Sequence, residues 1–143
     1  LYDVKEDRVV FPVVHKGNIV DATGRALGKR LPKWKRYGNF PLPYTFGSGD
    51  VAVVVEDCVS ADVVGSDVCV GVAVLGTSLA PYHVEYLAQF STIIIALDPD
   101  ALPKTLAFAK ELRGHVPNVK VLKLTDDLKY RNETDLEKLK EQI

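Results

Sequence analysis

From Asp50 onward, short β-branched runs alternate with segments of helical period, and no other feature of the chain restricts its folding as strongly. Residues 51–55, 70–75, 92–97 and 119–124 read as strands, the third carrying Ile93, Ile94 and Ile95 in succession. Residues 60–65, 81–90, 102–112 and 132–142 read as helices. Pro81 falls in a first turn, where its missing N–H costs nothing, and Leu102, Leu106, Ala109 and Leu112 share one helical face that Gly114 terminates. In the last helix Leu136 and Leu139 are expected to face inward. Strand–helix alternation of this kind is the pattern of βαβ units, so residues 50–143 are expected to form an α/β domain with a parallel sheet flanked by helices.

Residues 1–49 follow different rules. Residues 8–14 and 18–22 are short strand candidates on either side of Lys16 and Gly17, which predicts a hairpin. Beyond it the chain reads as loop, rich in glycine and proline. It carries Arg25, Lys29, Arg30, Lys33, Lys35 and Arg36, interleaved with Trp34, Tyr37, Phe40 and Tyr44. This is the composition of a small β-rich basic annex. Cations that track phosphates and aromatic faces that stack on bases suit single-stranded DNA, whereas the plainer reading is a solvated loop anchored by Trp34 and Phe40.

The whole chain, 143 residues with a formal net charge of -1, is not a general polyanion binder, so nucleic-acid contact must be local to that stretch. Cys58 and Cys69 lie in or beside apolar runs, and no leader or long apolar span is present, which predicts a cytoplasmic setting with no membrane contact. His15, His83 and His115 lack zinc-site spacing, and there is no phosphate-binding Gly-x-x-x-x-Gly-Lys loop. A chain starting at Leu1 and ending within a helical pattern is expected to be a piece of a longer protein.

Glu56 directly follows the first of the parallel strands, and Asp98 with Asp100 follows the third. In an open parallel sheet, functional groups gather beyond the carboxyl ends of the strands, so these acids are expected to meet. Their repulsion is relieved by a divalent cation with a preference for hard oxygen ligands, magnesium first and manganese as its substitute. The competing reading is that Asp57 and Asp100 merely cap the helices that follow them.

The segments VVVEDCVSA, AVLGTSL and IIIALDPDALPKTLAFAKEL, in this order, resemble the TOPRIM domain of topoisomerases, primases and certain nucleases, a Rossmann-like fold. The resemblance implies a catalytic acid or base, or metal ligand, at Glu56, and magnesium ligands at Asp98 and Asp100. Lys104 stands where primases often carry a basic residue. The segment RVVFPVVHKGNIVDATGRAL followed by LPKW resembles the part that precedes TOPRIM in bacterial primases, which topoisomerases and the related nucleases lack. By that resemblance Arg25, Lys33 and Trp34 contact template or nucleotide, and Asp127, with Asp126, is the nearest equivalent of a further acidic cluster holding metal. The family pattern Glu-Gly-x-x-Asp is altered, since Asp57 replaces the glycine and Ser60 the second acid, and Pro103 replaces a common glycine.

The expected function is therefore magnesium-dependent phosphoryl transfer, in the form of a primase catalytic core that makes short RNA primers in a bacterial cell or phage-infected host. The implied partners are a single-stranded DNA template and ribonucleoside triphosphates, with a replicative helicase or a flanking zinc-binding domain. The alternatives are a TOPRIM nuclease and a non-catalytic nucleic-acid or replisome-binding module.

Overall fold

The hairpin around Lys16 and Gly17 forms as expected. Both turn residues have positive φ, 51° and 80°, in a two-residue connection that sets His15 opposite Asn18. Glycine tolerates that conformation freely, and the turn's twist matches that of the paired strands. The computed structural model describes residues 1–143, and the chain divides into two units, Leu1–Tyr44 and Thr45–Ile143.

The first unit is an antiparallel sheet in the order β1 (Tyr2–Asp3), β2 (Arg8–His15), β3 (Asn18–Ala26) and β4 (Trp34–Arg36). Pro12 sits inside β2 without penalty because β1 pairs only with Arg8 and Val9, which leaves β2 an outer edge at the proline. The third strand runs on to Ala26, past the expected residue 22, because the basic stretch returns along it. Thr23, Gly24 and Arg25 pair with Arg36, Lys35 and Trp34. What reads locally as loop is thus a strand made by a non-local partner.

The second unit carries β5 (Thr45–Gly47), β6 (Val51–Val55), α1 (Cys58–Val64), β7 (Cys69–Ala73), α2 (Pro81–Leu87), β8 (Thr92–Ile95), α3 (Leu102–Leu112), β9 (Asn118–Val121) and α4 (Glu133–Gln142). A 3-10 turn, Leu128–Tyr130, precedes α4. The sheet order is β5-β7-β6-β8-β9, with β6, β7, β8 and β9 parallel and β5 antiparallel at the edge. This is the α/β architecture expected, with helices around a mainly parallel sheet and an N-terminal β unit.

Both faces of the sheet are covered, which explains apolar runs without alternation. Ala52, Val54, Val72, Ile93 and Ile95 share one core with Leu87, Phe108 and Leu112, while the intervening Val53, Val55 and Ile94 are equally inaccessible. Against β7, α1 comes so close that a Cβ on Gly71 would meet the Ala61 carbonyl oxygen at 2.4 Å. Helix α4 departs from expectation in one respect. Leu139 is buried as read, but Leu136 is only half-buried, and the inward position beside it belongs to Asp135, 1% exposed. No helix is long and apolar enough to cross a membrane.

Candidate active site

The chain leaves β6 for β7 on one side and then returns to lay β8 on the other side of β6, so the order reverses between β6 and β8. At such a reversal the connections diverge and open a crevice at the carboxyl ends of the strands. Val54 pairs with Ile95, and the Ala96 amide donates to the Val54 carbonyl at 2.9 Å, which sets the two strand ends level. Glu56 therefore emerges beside Asp98. On the far side of β8, the chain after β9 leads to Asp126 and Asp127.

Asp98 registers this crowding. Burial first, and then the charges of Asp127, Glu56, Asp57 and Asp100, push its carboxyl up to about 6. None of the ion pairs in the chain involves Asp98. Its neighbours are partly neutralised. Lys104 Nζ donates to Glu56 Oε2 at 2.6 Å and lies 3.5 Å from the Gly76 carbonyl. Asp127 accepts from the Lys129 amide at 3.1 Å and lies 3.4 Å from its ammonium. Asp100 is exposed. A cleft of about 360 Å³ opens at Asp98 between the start of α3 and the end of β9, lined also by Leu97, Pro99, Leu102, Thr105 and Val121.

The capping alternative divides between the two acids. Asp57 does cap α1, accepting from the Ser60 amide at 2.8 Å, and so has a structural task where the family pattern has glycine. Asp100 does not; Ala101 precedes α3 without a side-chain cap, and Pro103 falls in the first turn. Ser60 is 1% exposed and its hydroxyl has no hydrogen-bond partner, so the residue standing at the second acidic position is sealed in the interior.

The donor set is all carboxylate oxygen, the chemistry a hard divalent cation requires. As the side chains stand, no three acidic, histidine or cysteine groups converge tightly enough to enclose an ion. Magnesium does not need such a cage, because it commonly takes one or two carboxylates and completes its shell with water and substrate phosphates. By donor chemistry alone, Asp98 and the carboxylates near it fit such an ion.

Within the first unit, Arg25 stacks over Trp34 at 5.8 Å from its ring centroid and donates to its neighbour's carbonyl, Ala26 O, at 2.6 Å. Trp34 is half-buried against Phe11, ring centroids 5.8 Å apart. Lys33 is exposed, as are Lys29 and Arg30. Lys35 pairs with Glu6, and Arg36 pairs with Asp21 while donating to the Phe40 and Leu42 carbonyls. The basic cluster thus separates into structural cations, Lys35 and Arg36, and an exposed set at 29, 30 and 33.

Sequence reasoning missed Asp135 and Asn132. Asp135 accepts from the amides of Thr125 and Asp126, and Asn132 donates to Asp126 Oδ2 at 3.0 Å. The asparagine ahead of a helical run was legible as a cap. The aspartate, three residues further on, looks like any first-turn acid until the preceding segment folds over it.

No protein-family model and no curated protein matches the chain. Solved structures do. The primase of Aquifex aeolicus, in its zinc-binding and RNA polymerase domains, superposes with a TM-score of 0.73 at 20% identity over 94% of this chain and 39% of that one. The DnaG primase catalytic domain bound to single-stranded DNA gives 0.65 at 21% identity, over 95% of this chain and 51% of that one. The primase fragment of the bacteriophage T7 primase-helicase gives 0.64 at 22% identity, over 94% and 61%. The chain thus spans between 39% and 61% of the lengths of these three structures. Its fold is that of the TOPRIM-containing catalytic cores of bacterial and phage primases.

Proposed function

We propose that the chain is a primase catalytic core, a nucleotidyltransferase that joins ribonucleotides into a short primer on single-stranded DNA during replication. The observation that carries the reading is Asp98, half-buried at the reversal point of the sheet, surrounded by four carboxylates and paired with no cation. Like charges gathered in a strand-end crevice mark a functional-site candidate, and a bound cation would relieve their repulsion. In this reading Asp98, with Asp100, Glu56 and Asp127 as the other candidate ligands, would hold magnesium. Bound there, magnesium supplies the positive charge that stabilises attacking and leaving oxygens in phosphoryl transfer.

In the reaction the primer 3′-oxygen forms a bond to the α-phosphorus of the incoming triphosphate, and the bond to pyrophosphate breaks. Glu56 takes the role of acid or base that the family resemblance implies. Lys104, whose ammonium neutralises Glu56, offers a point charge to the triphosphate. Arg25, Lys33 and the face of Trp34 contact template or nucleotide, with Lys33, Lys29 and Arg30 free in solvent to meet phosphates. Two of the structural neighbours, one bound to single-stranded DNA and one from a primase-helicase, support a DNA template and a helicase partner.

The test is synthesis from labelled ribonucleotides on single-stranded DNA with magnesium, comparing the chain with its Glu56→Gln variant. Short RNA from the unsubstituted chain alone is the expected result. Magnesium-dependent breakdown of DNA or RNA without any nucleotide requirement would assign the site to hydrolysis instead.

A further inference from the structure

We infer that Asp135 is a positioning residue that fixes the acid-bearing segment 125–127 beside Asp98, an inference that rests on the metal-site reading above. Asp135 is a carboxylate only 1% exposed, and it takes part in no ion pair. Burial of a charge is tolerated when N–H donors surround it, and both oxygens are used in this way. Oδ1 accepts from the Thr125 amide at 2.8 Å, while Oδ2 accepts from Thr125 and from Asp126, each at 3.0 Å. The next residue is Asp127, whose charge is the first of those that raise Asp98.

A second tie runs in parallel. Asn132 accepts from the Asp135 amide at 3.1 Å and donates to Asp126 Oδ2. The start of α4 therefore grips the backbone at 125–126 and the side chain at 126, immediately before Asp127. Groups that hold a ligand-bearing segment from behind control affinity by limiting the geometries it samples. An amide at 135 keeps one acceptor and turns the other oxygen into a donor facing backbone N–H groups.

The experiment is titration with Mn2+ alone, reading free ion by electron paramagnetic resonance, on the chain and on Asp135→Asn. Thermal unfolding shows that each is folded at the measuring temperature. Mn2+ affinity is expected to fall roughly tenfold in the variant, with the amide proton resonances of Thr125 and Asp126 moving upfield. Should Asp135→Asn fail to fold, Asn132→Ala, which removes only the second tie, is expected to weaken Mn2+ binding measurably and by less than about tenfold. A folded variant that binds Mn2+ as tightly as the unsubstituted chain, despite shifted amide resonances, overturns the positioning role alone. Absence of Mn2+ binding by the unsubstituted chain overturns the metal-site reading and this inference with it.

Discussion

Two aspartates, Asp21 in the first unit and Asp98 in the second, are held in opposite ways. In the first, Asp21 is buried and fully engaged, accepting from Arg36 Nε at 2.8 Å and from the amides of Ala22, Gly38 and Phe40. Burial alone pushes its carboxyl up, but Arg36 and these N–H groups outweigh burial and hold it below the usual range. In the second, Asp98 is half-buried among like charges and raised. One aspartate is surrounded by donors and stabilises its fold; the other is surrounded by acceptors and strains its own. Charge that is satisfied locally marks architecture, and charge left in conflict marks a candidate functional site.

The sharpest break of this contrast is Asp98→Ala. Primer synthesis is expected to fall about 10³-fold, on the order of 4 kcal/mol in the transition state, while thermal stability does not decrease. A stability loss of the size expected for Asp21 would show that the two acids are not opposites. Asp21→Ala should cost about 3 kcal/mol in urea unfolding, because it takes the acceptor from the Ala22, Gly38 and Phe40 amides and the charge partner from a half-buried Arg36 together.

A third, smaller effect follows from pH. Because the folded state holds Asp98 at about 6, above its ordinary 3.8, the folded state binds its proton more tightly than the unfolded chain. That contribution is fully present below about pH 4 and is lost as pH rises through about 6. Asp98→Asn should remove this component of the pH dependence and, without metal at pH 7, raise stability by about 1 kcal/mol, reduced from the full shift because water still reaches the carboxyl. Added magnesium should stabilise the unsubstituted chain and not the variant. The smallest effect is at Lys33→Ala, expected to weaken single-stranded DNA binding severalfold and to lower the salt slope by about 0.7, with stability unchanged within about 0.5 kcal/mol. A filter-binding series over salt concentration measures it.

How much of this was legible depended on whether a residue's partner lay in its own sequence neighbourhood. The Ile93, Ile94 and Ile95 run and the periodic α3 announce themselves, since a strand buried on both faces and an amphipathic helix are written in local pattern. Glu56 and Asp98 were legible because strand ends place side chains by topology. Trp34–Arg36 and Thr45–Gly47 were not, because three-residue strands exist only through the strands they join. Among the basic residues, nothing local separates Arg36, tied to Asp21 fifteen positions back, from Lys33, exposed to water. Asp135 was hidden for the same reason, its partners lying in a segment ten residues earlier.

The edges of the second sheet have a consequence for behaviour at high concentration. An open strand end-row is a template for pairing with another molecule, and long flat apolar edges invite fibres. Here the outer strands are the three residues of β5 and the four of β9. On β9, Lys120 reaches the carbonyl of Gln142 at the end of α4, setting a cation on that margin. The apolar β-branched run Ile93 to Ile95 is enclosed between β6 and β9. This β-branched strand is therefore exposed only when the sheet itself opens, so that colloidal stability of this chain should track its global unfolding rather than fraying at its margins.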